Sequence, residues 1–126
     1  MIVKNELLNQ LIVSRSLEKL SNVESLDVEL GLKIAVILKN VMDNGKPFVH
    51  VRRKLRKKYE IADGKIDPKR SDEFDKEWEE LMNLDTNFDF ERLTISRKDI
   101  TDDKKKLVGG ITPLDLMTLS VLIDFE

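Results

Sequence analysis

The residues most able to do chemistry in this chain are two opposed runs of charge. Arg52-Arg53-Lys54-Leu55-Arg56-Lys57-Lys58 is followed, after a turn containing glycine and proline, by Asp72-Glu73-Phe74-Asp75-Lys76-Glu77-Trp78-Glu79-Glu80. On a helix, Arg52, Arg53, Arg56 and Lys57 line one ridge at i, i+1, i+4 and i+5, a spacing that can neutralise neighbouring phosphates of a nucleic-acid backbone. Tyr59 is the only aromatic residue beside them, and no turn of helix-turn-helix spacing precedes them, so base reading is disfavoured. The preferred reading has these cations facing solvent or, across a hairpin, the carboxylates Asp72, Asp75, Glu79 and Glu80. Such exposed pairs are individually worth about 0 to 1 kcal/mol.

Other chemistry finds less support. Carboxylates one helical turn apart, such as Asp72, Asp75, Glu79 and Glu80, can converge on a hard cation, but nothing in the sequence fixes such a site. Asp85-Thr86-Asn87-Phe88-Asp89-Phe90 begins like a calcium loop, then places Phe90 where a sharp turn needs glycine and Ser96 where a bidentate carboxylate is required. His50 is the only histidine and cysteine is absent, which excludes zinc clusters built from those residues, thiol nucleophiles and disulfides. His50 therefore reads as structural. Gly109-Gly110 lacks the spacing and the following lysine of a phosphate loop and reads as a hinge. The sequence predicts no enzyme, no cofactor and no metal.

The elements that must position these residues are mostly helical. After a short strand at Ile2-Val3, Asn5 can cap a first helix carrying Leu7, Leu8, Leu11, Ile12, Val13, Leu17 and Leu20. Ser25 or Asp27 caps a second, with Leu26, Leu30, Ile34, Ile37 and Val41 at three- and four-residue steps, which is expected to form the centre of the fold. Gly31 within it suggests close contact with another helix. Asn44-Gly45-Lys46-Pro47 reads as a stop and restart, a kinked continuation being the alternative. The third helix then has a thin seam of Phe48, Val51 or Arg52, Leu55, Tyr59 and Ala62. Asp67-Pro68 starts a fourth with Phe74, Trp78, Leu81 and Met82 on one face.

Beyond Leu84, Phe88 and Phe90 alternate with acidic residues and Leu93 and Ile95 continue on the opposite phase, which predicts a strand slipping phase near Arg92 and pairing with Ile2-Val3. Thr112-Pro113-Leu114-Asp115 starts a terminal helix of Leu114, Leu116, Met117, Leu119, Val121, Leu122, Ile123 and Phe125, apolar enough to require burial. The expected fold is mainly α. It has about five helices, a charged antiparallel helical hairpin over about 47–83, and a minimal two-stranded ribbon of about 2–4 with 88–95. Leu55, Tyr59, Phe74, Trp78, Leu116 and Leu119 are the expected core anchors. A single domain over 1–126 would comprise a helical head (1–44 with 88–126) and a hairpin arm (47–83).

Composition agrees with one helical domain. The chain has 126 residues, enough for a real core, and its 37% charged but only 6% aromatic content points to aliphatic packing under solvated outer faces. A formal net charge of -2 leaves no global field to drive it onto nucleic acid or an anionic membrane. The longest dense apolar run, Ile34 to Leu38, is too short to span a bilayer, so a soluble intracellular protein is expected.

The order of elements resembles small bacteriophage and prophage proteins of unknown function, found mainly in phages of Gram-positive bacteria. The similarity rests on Arg53, Leu55, Lys58 and Tyr59, on Phe74, Glu77, Trp78, Leu81 and Met82, and on Thr112, Pro113, Leu116, Leu119 and Phe125. Asn44-Gly45-Lys46-Pro47 departs from it by interrupting what would otherwise be a longer helix. The resemblance implies a phage context, in the cytoplasm of a bacterial host or in the virion, and carries over no catalytic residues. The resulting expectation is a non-enzymatic protein that binds another protein, phage structural component or host factor, or a second copy of itself. Partner contacts would come from Arg52, Arg53, Arg56, Lys57, Asp72, Asp75 and Glu79. Nucleic-acid binding through 52–58 is the alternative.

Overall fold

Residues 1–126 are described by a computed structural model of six α-helices and three two-stranded ribbons. The mainly α expectation holds, with one more helix than expected. The first predicted helix is broken into α1 (Asn5–Ser14) and α2 (Ser16–Ser21) by Arg15, which takes left-handed backbone at φ 55°. Asn5 is not a cap. It is buried at the start of α1, where its side-chain amide donates to the Leu81 carbonyl at 3.0 Å and accepts from the Thr86 hydroxyl at 2.6 Å.

That contact locates the ribbon. β1 (Ile2–Lys4) pairs antiparallel with β4 (Asp85–Asn87), Val3 opposite Thr86, so its partner lies just before the predicted 88–95. Leu93 and Ile95 belong instead to β5 (Leu93–Ile95), which runs parallel to β6 (Ile123–Phe125) with Ile95 opposite Phe125. The phase slip expected at Arg92 is thus a real break between two different ribbons.

α3 (Val28–Asn44) is capped by Asp27, whose carboxylate accepts from the Leu30 amide at 2.7 Å. It is one-sided rather than central: Ile34, Ile37 and Val41 are buried, while Val28, Leu32 and Val36 on the opposite face are exposed. Gly31 is not a helix contact, since a Cβ there would meet nothing within 4 Å. At Gly45 the chain turns a corner, and α4 (Lys46–Tyr59) begins with Pro47 in its first turn. Gly45 is buried, and a Cβ would lie 2.5 Å from the Val41 carbonyl oxygen, so no other residue fits this corner unshifted.

α4 and α5 (Ser71–Asn83) form the expected hairpin, joined through β2 (Glu60–Ala62), β3 (Lys65–Ile66) and a 3-10 turn capped by Asp67. Its base is part of the main core: Phe48, Leu81 and Met82 are buried with residues of every other helix, and Leu55 and Trp78 pack against that cluster. Only the outer half stands on its own contacts. There Tyr59 meets the Phe74 ring edge-on at 5.8 Å, Phe74 lies 5.5 Å from Trp78, and the Arg70 guanidinium sits 4.4 Å over Tyr59.

The terminal segment differs most from expectation. α6 covers only Pro113–Leu119, started by the expected capping box in which Thr112 and Asp115 each bond the other's backbone amide. The Arg92 guanidinium then donates to the carbonyls of Ser120 and Val121 and to the Asp124 carboxylate, holding the chain in the extended path of β6. Leu119, Leu122 and Ile123 are fully buried and Leu116 half-buried, but Leu114 and Met117 are exposed, so the all-buried helix is corrected. Gly109 sits at φ 68°, and a Cβ added there would come 2.9 Å from the Val23 side chain. No helix is long and apolar enough to cross a membrane.

Candidate functional site

Arg15 lies on a cleft of about 570 Å³ that α1 and α2 line together with α3 and α4, a volume in the range of ordinary ligand pockets. α1 and α2 contribute Leu11, Ile12 and Leu17, α3 contributes Leu38, Val41 and Met42, and α4 contributes Val49. The buried Gly45 closes one end, and its lack of a side chain is what lets α3 and α4 meet there.

The rim is mostly basic. Arg15, Lys46, His50 and Arg53 surround the apolar floor, against Glu18 and Asp43. Asp43 is already engaged, by Lys39 at 3.2 Å and by Lys46 at 3.8 Å. Arg15 is the strained member, because left-handed backbone costs a residue with a Cβ on the order of 1 to 2 kcal/mol. Ser16 next to it holds the turn: its hydroxyl donates to the buried Asp115 carboxylate at 2.6 Å, tying α2 to α6. Burial pushes the Asp115 pKa up, but hydrogen bonds from Ser16, the Thr112 amide, Lys19 and the Thr112 hydroxyl outweigh it and hold the group at about 2.

Arg53 also belongs to a second, shallower depression, together with Val13, Arg52, Arg56, Lys57, Glu60 and Asp63. The structure therefore brings together all four cations singled out in the sequence and makes them continuous with the cleft. Arg52 reaches across to the Asn9 side chain of α1, and partial burial, then Arg56 and Arg53, hold its guanidinium below its ordinary value. It remains charged at neutral pH all the same.

The acidic half of the hairpin does not join them. Glu79 lines a separate depression with Trp78 and Glu6, while Asp72 and Asp75 are exposed on α5 without ion pairs. Lys58 to Glu77, at 3.1 Å, is the only ion pair across the hairpin. Glu77 is held below the usual carboxylate range by the Tyr59 hydroxyl first and Lys58 second. Of the two settings expected for the ridge cations, solvent or the carboxylates Asp72, Asp75, Glu79 and Glu80, the second is not met. No three histidine or carboxylate side chains are grouped to hold a metal ion.

Arg15, Lys46 and His50 were missed as site residues in the sequence. Lys46 was absorbed into a helix stop and His50 read as structural, whereas it is exposed at the cleft rim. Fold and cleft together define a mainly helical chain with one amphipathic, basic-rimmed groove. No family model, curated protein or solved structure matches it.

Proposed function

We propose that this protein is a non-enzymatic binding protein whose contact surface is the α1 to α4 cleft with its adjoining basic ridge, acting on another protein in a phage context, either in particle assembly or on a host component. The observation that carries this is the continuity of an apolar cleft with cations that have no internal partner: Arg15, Arg53, Arg56 and Lys57 make no ion pair. A desolvated apolar floor supplies affinity, and an unpaired charged rim supplies orientation and partner choice. The phage context comes from the resemblance of the helical pattern.

Affinity capture from phage-infected cells tests it, comparing the parent with Val49→Glu in the floor and Arg53→Glu on the rim. Species retained by the parent and lost by both variants support the proposal. Identical capture by all three would remove the cleft from any role.

The ridge itself favours one other reading, nucleic-acid binding through Arg52, Arg53, Arg56 and Lys57. The aliphatic cleft beside the ridge is of no use to a phosphate backbone. A gel shift that is strong at low salt and collapses steeply with added salt would reverse this preference.

A further inference from the structure

We infer that the cleft's occupant is a single acidic amphipathic helix of the partner protein, with its apolar side chains in the cleft and its carboxylates over Arg53, Arg56 and Lys57. The inference rests on the protein-binding proposal and names the chemistry of the partner.

Spacing along α4 is the first argument. Lys46, His50, Arg53 and Lys57 fall at i, i+4, i+7 and i+11, which places them on one stripe of the helix. Val49 lies in the cleft beside the first two, and Arg56 extends the stripe beyond it. Val49 is the one apolar residue α4 gives the cleft, and the basic column beside it is placed as the charged edge of an apolar helix contact is.

Length is the second. At about 1.5 Å rise per residue, Val49 in the cleft and Lys57 at the end of the ridge are separated by about 12 Å along α4, or about two helical turns. A single carboxylate on an acyl chain meets one or two of Arg53, Arg56 and Lys57 and leaves the rest idle. A helix of about 12 to 15 residues meets them all. An extended peptide gains nothing here, because the cleft walls are helical and offer no sheet edge for strand addition. Charge sets the orientation: the apolar residues of the partner enter beside Val49, and its acidic residues follow toward Arg56 and Lys57.

The test uses the full chain and synthetic fluorescein-labelled peptides of about 14 residues, read by anisotropy. The first peptide carries leucines at i, i+3 and i+7 followed by glutamates. A second has lysine for every glutamate, a third has glutamine for every leucine, and unlabelled laurate competes as a small amphiphile. The expected result is binding of the first peptide that weakens about tenfold or more in the second and third. In the surface variant with Arg56→Glu and Lys57→Glu the preference should invert, the lysine peptide binding more tightly than the glutamate one. Equal binding of glutamate and lysine peptides, equal binding of the leucine-free peptide, or saturation by laurate with no peptide bound would each overturn the inference. If no peptide binds while captured species are still lost by Val49→Glu, the helix is wrong and the protein-binding proposal stands. If capture also ignores Val49→Glu, both fail.

Discussion

Replacing Asp115 with asparagine tests how the cleft is held open. Both carboxylate oxygens are occupied by donors: Oδ1 accepts from Ser16 at 2.6 Å, and Oδ2 accepts from the Thr112 amide at 2.8 Å and from Lys19 at 3.1 Å. An amide nitrogen in either place meets a donor, and the charge is lost. The folded-state pKa of about 2 against a reference of 3.8 corresponds to about 2 kcal/mol at 1.36 kcal/mol per unit. Lys19 is 40% exposed, so solvent screening trims its share and leaves on the order of 1 to 2 kcal/mol for the charge. The misplaced donor adds about 1 kcal/mol or more. Urea unfolding at pH 7 should therefore show Asp115→Asn less stable than the parent by about 2 to 3 kcal/mol, with an unchanged m-value.

The pH dependence follows from the depressed pKa. The charge contribution is complete above the unfolded value and is lost as pH falls through the folded one, so the gap between parent and variant narrows between about pH 4 and pH 2. A deficit under about 0.5 kcal/mol at pH 7, or one of the same size at pH 2, would refute the network as the tie between α2 and α6. Because Ser16 follows Arg15 directly, the variant should also loosen the cleft wall and weaken binding of the acidic peptide.

Arg15→Gly relieves the left-handed strain and should raise stability by up to about 1 kcal/mol while weakening the acidic peptide; a variant that loses stability would show that Arg15 is not strained. Gly109→Ala combines φ 68° with a Cβ placed 2.9 Å from Val23, and thermal unfolding should show a loss of about 1 to 3 kcal/mol. On α3, Ile34→Ala should cost about 2 to 5 kcal/mol because Ile34 is fully buried. Leu32→Gln, at an exposed position two residues away, should stay within about 0.5 kcal/mol of the parent by urea unfolding.

What could be read from the sequence was whatever a local side chain decides. Asp27 before α3, Asp67 before α5, and Thr112 with Asp115 before α6 are short-range signals that the fold obeys. The Phe74 and Trp78 pair was legible for the same reason, since i, i+4 spacing puts both rings on one face of α5, while Tyr59 joins them only because the hairpin folds α4 against α5. The break at Arg15 was not, because arginine in left-handed backbone has no sequence signature and Ser16 is held by a residue 99 positions away. From Leu119 onward, apolar density served a helix and a buried strand equally well. What decided between them was Arg92 and the parallel pairing with β5, both remote in sequence. The cleft was illegible because four helices each contribute one to three apolar residues, and only their packing turns those residues into a floor.

Charge shows the same limit in sharper form. Read in order, the basic and acidic runs suggest cancellation, and a net charge of -2 agrees. In space, Lys58 and Glu77 account for the only ion pair between them. Arg53, Arg56 and Lys57 share a depression with Val13 of α1, and no carboxylate of α5 lines it. A slightly acidic chain thereby presents a basic face beside an apolar cleft. Association with an acidic partner should be steered by that face and slowed by salt, in spite of the like overall charge.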